Sequence, residues 1–485
     1  MESDEQKPPW KSVDFCPSKH YPVDLTYIPW QDSNVDLLLQ AWKDKIALYE
    51  RYHIWELAKK MANPYECIYT QDDKNFHPSL CMYKPLSRSF YKMIEILSVM
   101  QFFETLPKNL AKIRSAHVAE GPGGFIEAFL ERAEKHKKIV SSATAMTLKP
   151  TDNHTPGWRR ANSFLQKHKE VVLHYGIDGT GDMYQKGNQE SFIQSVKTGV
   201  HLFTADGGFD FSTDYLMQEK RIYHLLICSA IIGLQSLTSG GAFVLKFFDI
   251  YGKPTQILIS LISSCFKDWC IYKPATSRPC NSERYLLCRG FKNVSKDLLA
   301  TLTEMETQSL REIYPTDSQP STPFEKNIKA IVELQKKSLS LAESYIENPV
   351  QWKTDFQAHF QKSVNWCSLF QMPALQKQPI AIAVQAVASQ MSARVSALRS
   401  RMLDAEKDRP LPSCPASTTS FVDYSCDTPP YQLQSQINED NREQIQEGVL
   451  LLPLQTDLQL CTPHIDEPSH EHTLPSLSLK MCVDA

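Results

Sequence analysis

The sequence predicts an α/β protein whose central domain is a doubly wound, mostly parallel β-sheet, with helical N- and C-terminal extensions and a disordered tail. Short apolar runs alternate with helical stretches such as HLLICSAIIGLQSL; the runs are HVAEGPGGF, KIVSSATAMTL, VVLHY, VHLFTADGGF and GGAFVLKFF. Alternating β and α segments give a parallel sheet that is covered on both faces. Glycine-rich turns follow the first and third runs, at the strand ends where such sheets bind ligands.

The central domain spans residues 81–295. The segments that precede it have a different pattern. In the N-terminal extension, residues 1–80, the first 30 residues are rich in proline and aromatic residues, and we expect them to wrap over a neighbouring element or to stay extended. Apolar residues then recur at helical spacing from about Val35 to Met61. A second helix is predicted from Arg88 to Phe103, directly before the first strand.

Two further segments follow the central domain. Residues 320–405 have a helical pattern and are expected to form a helical appendage that packs on the core. Residues 410–485 are rich in Pro, Ser, Thr, Gln and acidic residues with few aromatics, a composition typical of disorder. We therefore predict a disordered acidic tail.

Deleting residues 410–485 is expected to leave the melting temperature of the remaining chain unchanged, because the tail lacks the apolar content to join a core. Differential scanning calorimetry of the full-length and truncated chains measures this. A cooperative loss of melting temperature on truncation would show that the tail contains a packed element.

Charge and composition restrict the class of protein. The net charge of the 485 residues is −3, but residues 1–403 carry 48 basic against 41 acidic residues, while the rest carries 4 against 14. The expected folded part is thus mildly basic, which permits RNA binding, although an ordinary solvated surface also has this charge.

Neither a signal peptide nor an apolar segment of membrane-spanning length is evident in the sequence. The 13 cysteines are scattered and none form CxxC pairs, so we expect reduced thiols and no metal site. These features predict an intracellular protein of the nucleus, the cytoplasm or both.

The turn after the first strand suits a cofactor. In Glu120-Gly-Pro-Gly-Gly-Phe125, glycines let the backbone approach a ligand, and the following helix presents backbone N–H groups to its polar end. The spacing is neither GxGxxG nor a P-loop, so the turn alone is weak evidence. A second turn, Gly176 to Asp182, offers carboxylates to an adenine amine or a ribose hydroxyl. An ordinary surface turn is the alternative.

Four charged residues lie at predicted element ends in this one domain: Asp206 after HLFTAD, Lys246 in FVLK, Glu283 in SRPCNSERY, and Lys92 in the preceding helix. Each alone could form a structural ion pair, but together they suit transfer of a methyl group to a ribose 2′-hydroxyl. That reaction requires alignment and a proton acceptor. A lysine can accept the proton only with a lowered pKa, which partial burial and a second lysine favour, while carboxylates orient the two lysines.

Motifs in about residues 55–292 resemble the FtsJ-like (RrmJ-type) ribose 2′-O-methyltransferases, and most closely the cap-specific mRNA (nucleoside-2′-O-)-methyltransferases. The motifs are MANPYECIY, LSRSFYKMIEIL, AEGPGGF, AMTLKP, GTGD, TADGGFD, FVLKFFDIYG and KPATSRPCNSERYLLCRG. The resemblance implies a Rossmann-like domain that uses S-adenosyl-L-methionine and methylates capped mRNA at the first or second nucleotide. Methylation of rRNA or tRNA, or a catalytically silent RNA-binding role, are the alternatives.

The resemblance also implies roles for individual residues. The catalytic tetrad falls on Lys92, Asp206, Lys246 and Glu283, with Lys246 as the proton acceptor. Asn281 and Arg278 are implied to meet the RNA. Bacterial members carry an acid where Thr147 stands here. The residues implied to contact the cofactor are Gly121, Pro122, Gly123, Gly124, Phe125, Thr147, Asp182 and Asp206.

Overall fold

A computed structural model describes residues 13–21, 24–31, 46, 48–69, 79–150, 157–208, 217–318, 322–374 and 377–407. The predicted tail and much of the helix predicted from Val35 lie outside the described residues. In the described residues the predicted helix is interrupted at His53, which has φ 58° in the left-handed region, and the helix that follows the break is α1, Trp55–Met61. The described chain from Val13 to Lys407 belongs to one compact unit.

An eight-stranded sheet forms the centre of the fold, with the strand order β1-β8-β9-β7-β6-β3-β4-β5. Its strands are β1 (Cys16–Pro17), β3 (Lys112–Val118), β4 (Ile139–Met146), β5 (Val171–His174), β6 (Val200–Ala205), β7 (Leu237–Phe247), β8 (Asp268–Tyr272) and β9 (Arg284–Arg289). The five strands β3 to β7 pair in parallel, while β9, β8 and β1 continue the sheet antiparallel. The predicted doubly wound, mostly parallel sheet is confirmed.

Helices cover both faces of this sheet. Those between residues 89 and 309 are α2 (Ser89–Val99), α3 (Phe102–Thr105), α4 (Gly124–Lys135), α5 (Asn162–Lys167), α6 (Lys186–Ser195), α7 (Gln218–Ser236), α8 (Lys253–Ser264) and α9 (Lys296–Ser309). The buried side chains divide into two hydrophobic clusters, one containing the inner faces of α2 and α4 and the other that of α7. The apolar strand runs therefore fit the burial that a sheet covered on both faces requires.

The helix predicted from Arg88 to Phe103 is interrupted. Gln101 has φ 48°, in the left-handed region, so α2 ends at Val99 and a short α3 starts at Phe102. Phe102 and Phe103 are still buried. The apolar periodicity therefore continues across the break, which explains why the pattern alone predicted one helix.

The N-terminal segment lies against distant parts of the chain. Strand β1 adds to the sheet beside β8, and β2 (Thr26–Pro29) pairs antiparallel with β10 (Ile313–Thr316) in a separate two-stranded sheet. Trp30 packs edge-on against Tyr223 of α7, with ring centroids 6.0 Å apart. This part of the chain is thus extended and wraps over the central domain.

Three long helices follow β10: α10 (Thr322–Glu347), α11 (Pro349–Leu369) and α12 (Lys377–Lys407). The segment after α11 contacts α4, where Arg132 donates from NH2 to the carbonyl oxygen of Phe370 at 2.8 Å. It also contacts the chain before α2, where the Met82 amide donates to the Pro373 carbonyl at 2.7 Å. The helical C-terminal segment therefore packs directly on the central domain. None of the described helices combines the length and the apolar character needed to cross a membrane.

A buried carboxylate holds the start of α8. Glu219, in the first turn of α7, accepts hydrogen bonds from the amides of Tyr251 at 3.1 Å and Gly252 at 2.9 Å. Burial, with the nearby charge of Asp249, raises the pKa of Glu219 from 4.5 to about 7, although the amide donors oppose this. The folded chain therefore binds this proton more tightly than the unfolded chain does.

Replacing Glu219 with glutamine is expected to remove part of the pH dependence of stability. In the wild type the free energy of unfolding should fall as the pH rises from 4.5 to about 7, by roughly 3 kcal/mol, because the folded state loses a proton that the unfolded state has already lost. Glu219→Gln should show a flatter profile in urea titrations over this range. An equally steep profile in the variant would contradict the assignment.

Candidate active site

The four charged residues predicted from the sequence meet at one edge of the sheet. Asp206 follows the carboxyl end of β6, and Lys246 is the penultimate residue of β7. Glu283 immediately precedes β9, which runs antiparallel to β7, so the start of β9 lies at the same edge. Lys92 reaches this edge from α2. Sheets of this kind bind ligands at that edge.

Lys246 is held by Asp206 in two ways. Its Nζ donates to the backbone oxygen of Asp206 at 2.6 Å and lies 3.3 Å from the carboxylate Oδ1. The hydroxyl of Tyr285, which pairs with Lys246 across the two strands, donates to the same Oδ1 at 2.8 Å. Both charged side chains are only 11–12% exposed, so the pair is largely shielded from solvent.

Lys92 and Glu283 form the second pair. Lys92 Nζ donates to Glu283 Oε2 at 2.8 Å, and the other oxygen of this carboxylate accepts from the hydroxyl of Ser277 at 2.8 Å. Lys92 Nζ also lies 3.5 Å from the hydroxyl of Tyr285. Tyr285 thus contacts both pairs, and each lysine has its own carboxylate.

Lys273, which the sequence analysis did not single out, contacts the chain beside Glu283. Its Nζ donates to the backbone oxygen of Glu283 at 3.0 Å, to Asn281 Oδ1 at 2.8 Å and to Asn281 O at 3.0 Å, and it lies 3.2 Å from Ser277 Oγ. Lys273 Nζ therefore lies within hydrogen-bonding distance of four acceptors. All four belong to residues 277–283, which we call the substrate loop. The only sequence signal for Lys273 is that it opens the motif KPATSRPCNSERY.

The lysines determine the ionisation of Glu283. Burial raises the pKa of its carboxyl, but the positive charges of Lys92, Lys246 and Lys273 outweigh burial and lower it to about 2. The carboxylate is therefore ionised at any pH near neutrality. Burial, together with the charge of Arg284, lowers the pKa of Lys273 well below its usual value.

Arg278 and Asn281, the two predicted RNA-contacting residues, have different surroundings. Arg278 makes a bidentate ion pair with Glu66, from NH2 to Oε1 at 2.9 Å and from Nε to Oε2 at 3.2 Å. Glu66 also pairs with Arg88, which donates to the carbonyl oxygen of Thr276. Arg278 thus anchors the substrate loop to the N-terminal extension, whereas Asn281 is exposed beside it.

The glycine turn after β3 is closely surrounded. Gly123 has φ 104° and precedes α4, and a Cβ on Gly124 would lie 2.3 Å from the hydroxyls of Ser87 and Ser89. A Cβ on Gly121 would lie 2.7 Å from the carbonyl oxygen of Gly157. Larger residues would therefore fill the space beside the N-terminus of α4. Phe125, the last residue of the motif, is buried and packs near Tyr285 at 5.8 Å between ring centroids.

The other predicted cofactor contacts lie at neighbouring strand ends. Thr147 follows β4, and a Cβ on Gly181 would lie 2.1 Å from its carbonyl oxygen. Asp182 follows the turn after β5, and its Oδ1 accepts from the amide of Tyr184 at 2.9 Å. The structure therefore brings Gly121, Thr147 and Asp182 to the sheet edge that also carries the four charged residues.

One group of metal-ligating residue types lies on α7 and α9, where the ring of His224 packs against Tyr184 with ring centroids 4.6 Å apart. His224, Cys228 and Glu306 bring possible ligand atoms within 4.8 Å of one another. Cys228 Sγ donates to Glu306 Oε1, which also accepts from Gln189 at 2.6 Å. His224 Nδ1 lies 2.7 Å from the hydroxyl of Ser309. Hydrogen bonds within the chain thus engage Cys228, Glu306 and His224 Nδ1, whereas His224 Nε2 is buried with no hydrogen-bond partner among the described residues.

The strand order defines the class of protein, a doubly wound α/β domain, and paired lysines and carboxylates lie at the carboxyl edge of its sheet. Residues 85–291 match the family described as FtsJ-like methyltransferase. The similarity to FtsJ-like methyltransferases thus covers these residues, and the resemblance predicted from the motifs is confirmed.

The curated relatives match the same part of the chain. Cap-specific mRNA (nucleoside-2′-O-)-methyltransferase 1 of Xenopus laevis is 34% identical over 233 residues, covering 44% of this chain and 26% of the relative. The human enzyme of that name is 34% identical over 250 residues, 48% of this chain and 29% of the relative. Methyltransferase 2 of Danio rerio is 33% identical over 213 residues, 42% and 28% respectively. The chain thus spans less than a third of each of these relatives.

Among solved structures, a putative ribosomal RNA methyltransferase from Plasmodium falciparum aligns with a TM-score of 0.31 and 16% identity, over 43% of this chain and 98% of that chain. The alignment is too loose to bear on the assignment of the fold, which rests on the strand order.

Proposed function

We propose that this chain transfers a methyl group from S-adenosylmethionine to the ribose 2′-hydroxyl of the first or second nucleotide of capped mRNA. The observation that carries the proposal is the complete set of Lys92, Asp206, Lys246 and Glu283, which forms two ion pairs at the cofactor edge of the sheet. The names of the curated relatives support the choice of capped mRNA. Capped transcripts occur in the nucleus and the cytoplasm, and we place the protein in one or both.

The residues at this edge fit S-adenosylmethionine. The N-terminus of α4 beside Gly123 presents backbone N–H groups that suit a carboxylate, and the close contact of Gly121 with Gly157 leaves no room for a side chain there. Asp182 offers oxygens for ribose or adenine groups. Trp158 Nε1 is a further buried donor, with no hydrogen-bond partner among the residues that the structure describes. When bound, the cofactor supplies a methyl group already activated on a sulfonium.

The chain itself aligns the nucleophile and accepts its proton. Lys246 Nζ is the group that takes the proton of the 2′-hydroxyl, and both its contacts to Asp206 fix its position. Lys92 is oriented by Glu283 at the same edge of the sheet and extends to it from α2. Tyr285 keeps the two pairs in register because it contacts Asp206 and Lys92. Most of the rate enhancement then comes from alignment and one positioned base.

Methyl transfer from labelled S-adenosylmethionine to matched capped and uncapped RNAs, followed by mapping of the methylated nucleotide, tests the proposal. Label at the 2′-oxygen of the first or second nucleotide of the capped RNA alone is the expected result. Equal labelling of uncapped RNA would instead indicate an rRNA- or tRNA-type enzyme. Cap binding without any transfer would indicate a catalytically silent RNA-binding protein.

A further inference from the structure

A residue outside the matched FtsJ-like segment reaches the active-site region. Trp366 lies on α11 and is only 1% exposed, and its Nε1 donates to Oε1 of Glu95 at 3.0 Å. Glu95 lies on α2, three residues after Lys92, and is fully buried. The C-terminal helices therefore contact the carboxylate that lies one turn from a tetrad residue.

Glu95 holds the chain that leads into the substrate loop. Its Oε2 accepts from the amide of Ala275 at 2.7 Å and from the hydroxyl of Tyr272 at 2.8 Å, and its Oε1 accepts from the amide of Thr276 at 2.9 Å. Burial raises the pKa of Glu95 above its usual value, although the hydrogen bonds from this segment oppose that shift. A buried carboxylate is tolerated only when donors replace the lost water, so each of these donors matters.

The segment held by Glu95 continues directly into the catalytic groups. Thr276 precedes Ser277, whose hydroxyl donates to Glu283, and Glu283 binds Lys92. A shift of the two amides would therefore move the substrate loop relative to the tetrad. Trp366 is the one of the four donors to Glu95 that belongs to neither β8 nor this segment.

We propose that Trp366 is a positioning residue for methyl transfer: through Glu95 it holds residues 275 and 276, and thereby orients the loop that carries Glu283. The proposal rests on the proposed function. It makes the C-terminal helices part of the catalytic unit, although they lie outside the segment that matches the family.

Two tryptophans on the same helix allow a matched comparison. Trp352 is also 1% exposed, but its Nε1 donates at 3.3 Å to the carbonyl oxygen of Met61 at the end of α1 and not to Glu95. Both rings pack against a phenylalanine, Trp352 on Phe356 and Trp366 on Phe370. Trp366→Phe and Trp352→Phe each remove one N–H group and keep an aromatic ring.

The test combines kinetics, hydrogen exchange and melting in the full chain. Both variants should melt about 2–4 °C below the wild type. Trp366→Phe alone should lower kcat for RNA methylation, by roughly tenfold, with unchanged affinity for S-adenosylmethionine. It alone should also speed amide exchange in a peptide that covers residues 273–283. Glu95→Gln, which removes an acceptor oxygen, should change kcat and exchange in the same direction, and it substitutes for Trp366→Phe should that variant not fold.

Equal kcat values in Trp366→Phe and Trp352→Phe, or unchanged exchange over residues 273–283, would overturn the proposal. A wild-type chain that methylates no RNA would refute the proposed function instead. The exchange measurement would then still decide whether Trp366 holds this segment, so the two failures are distinguishable.

Discussion

Lys246→Ala is expected to abolish methyl transfer while cofactor affinity stays close to that of the wild type. The Nζ of Lys246 contacts Asp206 and is the only group assigned to the proton of the 2′-hydroxyl. A positioned general base contributes about 10² to 10⁴ in rate, so turnover should fall by at least ~10². Single-turnover assays with saturating RNA measure the rate, and calorimetric titration measures cofactor binding.

Lys292→Ala is a suitable control for this variant. Lys292 is exposed and lies beyond the end of β9, at the opposite edge of the sheet from Lys246. The control should keep full activity. Turnover of Lys246→Ala within tenfold of the wild type would remove Lys246 from the role of proton acceptor and leave the FtsJ-like domain assignment intact.

The central sheet and its reactive edge could be predicted because their signals are local. Apolar runs that end in Asp206 and Lys246 mark strand ends, and the carboxyl ends of parallel strands meet at one edge. Sequence therefore predicted that these side chains come together. It could not predict which carboxylate pairs with which lysine, because that depends on the order of β6, β7 and β9 in the sheet.

The contacts that hold the substrate loop could not be predicted, because their partners are far apart in the chain. Glu95 and Trp366 are 271 positions apart, and Glu66 and Arg278 are 212 apart. A charged residue on an apolar helix face gives no sign of its partner. The motif that contains Arg278 implies a contact with RNA, and it gives no sign that the guanidinium also binds Glu66.

Local conformation limited the prediction in another way. Gln101 interrupts a continuous apolar pattern with a single left-handed residue, which any periodicity analysis spans. The pairing of β2 with β10 likewise joins two four-residue strands that are too short and too irregular in composition to stand out. These elements owe their structure to packing against the central domain.

The substrate loop is thus held by charged groups on several sides. Lys273 donates to the backbone oxygen of Glu283 in the loop. Glu95 accepts from the amides just before the loop, and Glu66 binds Arg278 in the loop. Such contacts fix the geometry of an active-site loop more tightly than apolar packing alone, since each carboxylate accepts hydrogen bonds in defined directions. The largest effects on stability should come from the most completely buried of these ion pairs.

Glu66→Gln is expected to destabilise the folded chain by about 3 kcal/mol at pH 7, because it leaves two arginine side chains beside a neutral group. Burial raises the pKa of Glu66, but Arg88 and Arg278 outweigh burial and lower it to about 2. The stabilisation is therefore fully present above pH 4.5 and is lost as the pH falls towards 2. Urea unfolding of wild type and variant between pH 7 and pH 3 should show the difference narrowing below pH 4.5.

Glu56→Gln is the control for this experiment. Glu56 lies on α1 and pairs with Lys59, but its side chain is 55% exposed, so its loss should change stability by less than about 0.5 kcal/mol. Because Glu66 anchors Arg278, Glu66→Gln should also weaken binding of capped RNA at a temperature where the variant is fully folded, with cofactor binding unchanged. Equal effects of Glu66→Gln and Glu56→Gln on the free energy of unfolding would show that the Glu66 pair with Arg88 and Arg278 does not stabilise the fold. A difference between wild type and Glu66→Gln that grows on acidification would show the same.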